Sequence, residues 1–189
     1  MPILGIVASS YRALTITGAM EPIAVTTVPS GGLSSVTFGS IPQTYTHLQL
    51  RILGRTNRNL FRDFMGLNFN ADTGNNYSYH SLGGNGTTAT TGSIGSFNEF
   101  QIGFLAGATA NNANGFGNII IDILDYANTN KNTTIRSLGG YDDNGQGEIG
   151  IVSGLWINTT AVTQIDITPG SGTLFSQYSS FALYGIKGA

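Results

Sequence analysis

The chain has no cysteine among its 189 residues. That excludes disulfide staples and thiolate metal centres, and it fits a chain made in a reducing cytoplasm, wherever it later works. Charge is nearly as scarce. Eight Lys and Arg and ten Asp and Glu amount to 10% of the residues, against roughly a quarter in ordinary globular domains. Eight basic residues at a net charge of −2 are too few for a wide phosphate-neutralising surface, so no nucleic-acid partner is expected. No run approaches the ~20 apolar residues of a membrane-spanning helix, so no membrane partner is expected either. Only two histidines occur, His47 and His80. Helical periodicity is missing as well: 27 glycines break nearly every window.

What remains is a polar, uncharged surface around a real core. Hydrophobic residues make up 40% of the chain, which argues against disorder. Solubility then rests on amides and hydroxyls, and weak charge repulsion suits the chain to close packing in a large assembly.

Apolar residues recur with a period of two. Leu48, Leu50 and Ile52 alternate with His47, Gln49 and Arg51; Met65, Leu67 and Phe69 with Gly66 and Asn68; Phe100, Ile102 and Phe104 with Gln101 and Gly103; Ile165 and Ile167 with Gln164 and Asp166. Each set predicts one buried and one wet face of an antiparallel strand. The run Ile119–Leu124 is more continuous and predicts a central strand. The last apolar stretch, Phe181–Ile186, predicts a core strand close to the C-terminus. Turn chemistry separates these segments at Pro29–Gly32, Gly83–Gly86, Asp142–Gly145 and Pro169–Gly172. Together they predict an all-β, antiparallel two-sheet β-sandwich of jelly-roll type over residues 22–189. The spacers 83–95 and 107–117, rich in Gly, Ala, Thr and Asn, read as exposed loops at one end of it.

Residues 1–21 read differently. Ile3, Leu4, Ile6 and Val7 are apolar without an evident strand partner. They fit an N-terminal arm that packs on another subunit, or equally an edge strand of the same sandwich. No positive charge precedes this short apolar run, so a secretory signal is not expected.

Chemistry is sparse. Two separated histidines could serve a transition metal only with heavy carboxylate help, and no Gly-x-Ser-x-Gly elbow occurs to support a Ser-His-Asp triad. No cofactor and no catalytic residue are assigned. Asp142-Asp143-Asn144-Gly145 offers hard oxygen ligands of the kind Ca²⁺ takes, but Asn-Gly is first a hairpin-turn signal; Asn70–Asn76 reads the same way. Paired carboxylates for glycoside hydrolysis could come from Glu99, Asp122, Asp125, Asp142 or Glu148, although acids in turns and on wet strand faces are ordinarily solvated. Trp156 reads as core or subunit interface. Tyr77 and Tyr79, beside loops, are candidate stacking platforms for a host-surface glycan. Arg51, Arg55, Arg58 and Arg62 fall within a dozen positions. They read either as loop residues paired with acids such as Asp63, or as a patch that docks on an acidic neighbour.

Five segments then carry a family resemblance: Met1–Ser9, Ser35–Arg51, Phe69–Tyr77, Asp122–Lys131 and Phe181–Gly188. In this order they resemble a family of tailed-bacteriophage virion proteins. The resemblance implies a non-enzymatic structural protein located in the virion: a capsid decoration, cement or head-fibre protein that contacts the major capsid protein, or a tail-fibre protein that contacts host glycan. A polysaccharide depolymerase is the enzyme alternative, since phage tailspikes hydrolyse such polymers. The resemblance supplies no catalytic residues. Homotrimeric assembly is an expectation from phage fibres and decorations in general.

Overall fold

The computed structural model describes residues 18–109 and 113–188. The described residues form twelve strands: β1 (Met20–Thr27), β2 (Val36–Phe38), β3 (His47–Gly54), β4 (Arg62–Phe69), β5 (Tyr77–Gly84), β6 (Ala89–Phe97), β7 (Phe100–Ala106), β8 (Gly117–Leu124), β9 (Thr133–Asp142), β10 (Gly147–Trp156), β11 (Ile165–Pro169) and β12 (Ser180–Ile186). All pairings between them are antiparallel. An eight-stranded sheet runs β1-β12-β3-β8-β9-β10-β5-β6, and a four-stranded sheet runs β2-β11-β4-β7. No helix occurs among the described residues, so none could cross a membrane.

The chain path is that of a jelly roll with additions. Strands β2, β11, β4 and β7 form one sheet, and β3, β8, β5 and β6 belong to the other. This is the eight-strand, double Greek-key arrangement. The β9–β10 hairpin is inserted between β8 and β5 of the larger sheet, and β12 and β1 extend that sheet beyond β3. The smaller sheet therefore covers only part of the larger one.

Alternation decides which face is dry. Leu48, Leu50 and Ile52 of β3, Met65, Leu67 and Phe69 of β4, Ile119, Ile121 and Ile123 of β8, and Ile165 and Ile167 of β11 all point into one core. As expected, β8 lies centrally in its sheet and Phe181 and Leu183 of β12 are buried. An aromatic group fills the middle: Phe69 meets Phe100 and Trp156 edge-on at 5.7 and 5.5 Å, and Tyr77 meets Phe100 edge-on at 4.9 Å. Trp156 is thus a core residue.

Three expectations need correction. Phe104 does not continue the inward face of β7. Between the Phe64–Phe104 and Gly66–Gln101 pairs, Ile102 and Gly103 oppose Met65 alone. This β-bulge, with Gly103 at φ 136°, shifts the phase by one residue. Leu105 then turns inward and is fully buried, while Phe104 lies 4.4 Å beneath the Arg62 guanidinium. Second, much of 83–95 is not loop: Gly83 and Gly84 end β5, and β6 starts at Ala89. Strand β6 is the edge of the larger sheet and is exposed over nearly all its length, so it carries no apolar alternation. Third, Met20 and Glu21 are strand residues that pair with Ile186 and Gly185 of β12. Ile3, Leu4, Ile6 and Val7 lie outside the described residues.

Candidate functional site

Three places concentrate side chains that could act on something outside the chain: the turn around Asp72, the outer face of the larger sheet, and the end of the sandwich that carries the arginines.

The Asp72 turn replaces the expected glycan platform. Asn70 and Ala71 adopt φ 53° and 54°, and Asp72 N–H donates to the Phe69 carbonyl at 2.9 Å, closing a tight β4–β5 turn. The Asp72 carboxylate then accepts from Gly74 N–H at 2.9 Å, from Asn76 Nδ2 at 3.0 Å and from Trp156 Nε1 at 2.8 Å. Burial alone would raise its pKa, but the hydrogen bonds from Asn76, Trp156 and Gly74 outweigh that and hold it below the usual value. Tyr77 is 0% and Tyr79 6% exposed. The Tyr77 hydroxyl donates to the Asp72 carbonyl at 2.9 Å and accepts from Phe69 N–H at 3.1 Å; burial is the largest cause that pushes its pKa up to about 12. Neither ring has a face left for a sugar. The i, i+2 spacing places both on the inward side of β5, which removes them as receptor contacts.

A pH prediction follows for this turn. A carboxylate with a depressed folded pKa contributes stability that is present above its unfolded value and is lost as pH falls through the folded one. In thermal melts, the advantage of wild type over Asp72→Asn should be full at neutral pH and shrink below about pH 4. A constant difference down to acid pH would contradict it.

On the outer face of the larger sheet, register builds a row that runs across the strands. Leu82 pairs with Ile151, Ile151 with Leu138, and Leu138 with Ile120. Four aliphatic side chains from four adjacent strands thus stand side by side, with exposures of 39% to 50%. Ile149 flanks Ile151 on β10 at 63% exposure. The row continues through Arg51 and Ala182 to Val25. Beside it lies a polar ladder: Arg136 contacts Asp122 at 3.1 Å, Gln49 Nε2 donates to Asp122 at 2.9 Å, and Arg51 Nε donates to Gln49 at 2.9 Å. Arg51 also lies 5.4 Å over the Tyr184 ring.

At the end of the sandwich the arginines part company. Arg55 is buried; its guanidinium donates to the Gly115 and Ala108 carbonyls at 2.9 and 3.2 Å. Burial lowers its pKa and nearby buried Asp143 partly offsets this. Arg58 lies 3.5 Å from Asp63, whose buried carboxylate also accepts from Ser171 and Gly172 N–H at 3.1 and 2.9 Å. Arg62 pairs with Glu148. The four arginines therefore make no common docking patch: Arg55 is internal, Arg58 and Arg62 are paired with acids, and Arg51 faces outward on the large sheet.

The same end holds a cleft between the β5–β6 and β9–β10 hairpin tips. Asn144 and Gly145 have φ 50° and 120° and Asp143 N–H donates to Gln146 at 2.7 Å, so this segment forms the hairpin turn that its Asn-Gly pair predicts. Two adjoining hollows of about 380 and 300 Å³ share Asn85, Tyr141, Gln146 and Glu148 as walls. Asp142 borders the first; Phe61, Arg62 and Thr87 border the second.

The remaining acids are dispersed. Asp125 pairs with Lys131 and lies 3.2 Å from His47 Nδ1, and Glu99 is half-buried with its pKa raised by burial. Among the described residues no three His, Cys, Asp or Glu side chains group as a metal site.

No family model matches the chain, and no curated protein matches it. Among solved structures it is similar to the crystal structure of the marine PL-14 alginate lyase from Aplysia kurodai, at 8% identity and a TM-score of 0.29, over 77% of this chain and 70% of the lyase. Likeness at that level carries no argument about fold or activity.

Proposed function

We propose that the protein is a non-enzymatic structural protein of a bacteriophage virion, a capsid decoration, cement or head-fibre subunit. It packs on a neighbouring virion subunit through the outer face of its eight-stranded sheet. The observation that carries this reading is the in-register row of Leu82, Ile151, Leu138 and Ile120 with Ile149 beside it. The largest apolar patch of a monomer is usually on the order of 300–600 Å², and such patches mark contact surfaces. Here an apolar centre lies beside a polar ladder that includes Arg51, the anatomy of an interface. The scarcity of charge lets copies approach with little repulsion, and the resemblance of segments from Met1 to Gly188 supplies the virion setting. The apolar residues Ile3, Leu4, Ile6 and Val7 act as a second anchor.

The test uses particles assembled without the chain, incubated with purified protein and sedimented. Wild type should co-sediment. A Leu138→Glu, Ile151→Glu variant should stay in the supernatant. Leu138 and Ile151 are 50% and 46% exposed and directly opposed, so the two glutamates repel and should cost on the order of 1–2 kcal/mol; a cooperative melt of the variant shows that it stays folded. Equal co-sedimentation of the variant would refute the contact face.

A further inference from the structure

We infer that the cleft between the β5–β6 and β9–β10 hairpin tips is a binding site for a neutral saccharide. Its walls combine what a sugar ring needs. Phe61, about a third exposed, supplies the aromatic surface, and buried Tyr141 backs it with ring centroids 6.4 Å apart at a tilt of 42°. Aromatic faces pack on the apolar C–H surface of a sugar. Around them stand short polar side chains with unused hydrogen-bonding capacity. Asn85 Oδ1 is taken by Thr87 and Thr88 N–H, which leaves its Nδ2 free to donate. Asp142 Oδ1 accepts from Asn144 N–H, which leaves Oδ2 free to accept. Gln146 uses its amide nitrogen on Asp143, which leaves Oε1 free. Donors and acceptors on opposite sides of one hollow suit vicinal hydroxyls, each of which both donates and accepts.

Other ligand classes fit less well. The cation of the site, Arg62, is already paired with Glu148, and Asp142 adds an unpaired negative charge, so phosphate and other anions are repelled. The Arg62–Glu148 pair cancels internally, and a single further carboxylate does not hold a metal ion. The hollows, about 380 and 300 Å³, are at the small end of ligand sites, roughly 300–1,000 Å³. The glycines among the walls, Gly84, Gly86, Gly145 and Gly147, let a ligand approach the backbone closely. The cleft lies at the end of the sandwich and adjoins the apolar row, since Ile149 borders the first hollow.

The experiment is a titration of the ¹⁵N-labelled full chain, followed by amide chemical shifts, with glucose, galactose and N-acetylglucosamine, and with inorganic phosphate as the anion probe. At least one sugar should move the amides of Gly84, Gly86, Gly145 and Gly147, and phosphate should not. Phe61→Ala and, separately, Asp142→Asn should each weaken that binding about tenfold while the rest of the spectrum stays folded. The Asn side chain retains the oxygen that caps Asn144, so the second variant does not depend on the fate of the first. No shift with any of the three sugars, shifts centred elsewhere, equal shifts with phosphate, or unchanged affinity in both variants would each overturn the assignment.

Discussion

Replacing Arg55 with Ala should destabilise the fold by about 2–4 kcal/mol, because a buried guanidinium that holds two backbone carbonyls is lost. Arg55 is 7% exposed. Its guanidinium ties the loop after β7 to the end of β3 through the Ala108 and Gly115 carbonyls, and it lies close enough to Asp143 to feel its charge. Truncation leaves the Ala108 and Gly115 carbonyls without this donor. The loss should also be local: the amides of Gly107 and Ala108, which donate to Phe61 and Arg58 carbonyls, should lose hydrogen-exchange protection before the sheets do. Arg55→Lys should recover little, because one ammonium cannot span both carbonyls. A midpoint shift in urea equivalent to less than 1 kcal/mol would show that the site is solvated instead.

The second large effect is at Trp156. Trp156→Ala should cost about 3–5 kcal/mol, the range for large aromatic truncations in a close-packed core. At about 2–4 °C per kcal/mol for a chain of this size, the melting temperature should fall by about 6–20 °C. The ring is 1% exposed, packs edge-on against Phe69 at 5.5 Å, and donates through Nε1 to Asp72 at 2.8 Å. Trp156→Phe separates the two roles. It keeps most of the apolar volume but leaves the buried carboxylate one donor short, for a smaller loss of about 1–3 kcal/mol. If the Phe variant melted with wild type, the hydrogen bond would contribute nothing, and the Asp72 turn would be held by Gly74 and Asn76 alone.

Strands with one dry and one wet face were legible from the sequence. Leu48, Leu50 and Ile52 or Met65, Leu67 and Phe69 report their burial directly, because each side of the strand meets a different solvent. Strand β6 failed that test because only Ile94 and Phe97 near its end reach the core and the rest is wet on both faces. Phe104 failed because a bulge changes phase without changing composition; Gly103 was its one local trace. Tyr77 and Tyr79 did carry a signal in their i, i+2 spacing, which a preceding turn obscured. Arg55 had none, since nothing in Gly54-Arg55-Thr56 distinguishes a guanidinium that clamps a loop from one in water. The apolar row is a different case. Leu82, Ile120, Leu138 and Ile151 come from four distant segments, and only strand pairing places them side by side. A surface defined by register is invisible until the order of the sheet is known, and the cleft between two hairpin tips is hidden for the same reason.

The most direct test of the account is cryo-electron microscopy of the intact virion, with the chain traced in the density. The account predicts many copies at lattice positions on the head, with Leu82, Ile120, Leu138 and Ile151 covered by a neighbouring subunit. Copies whose outer sheet face stands open to solvent, or particles that lack the chain altogether, would contradict it.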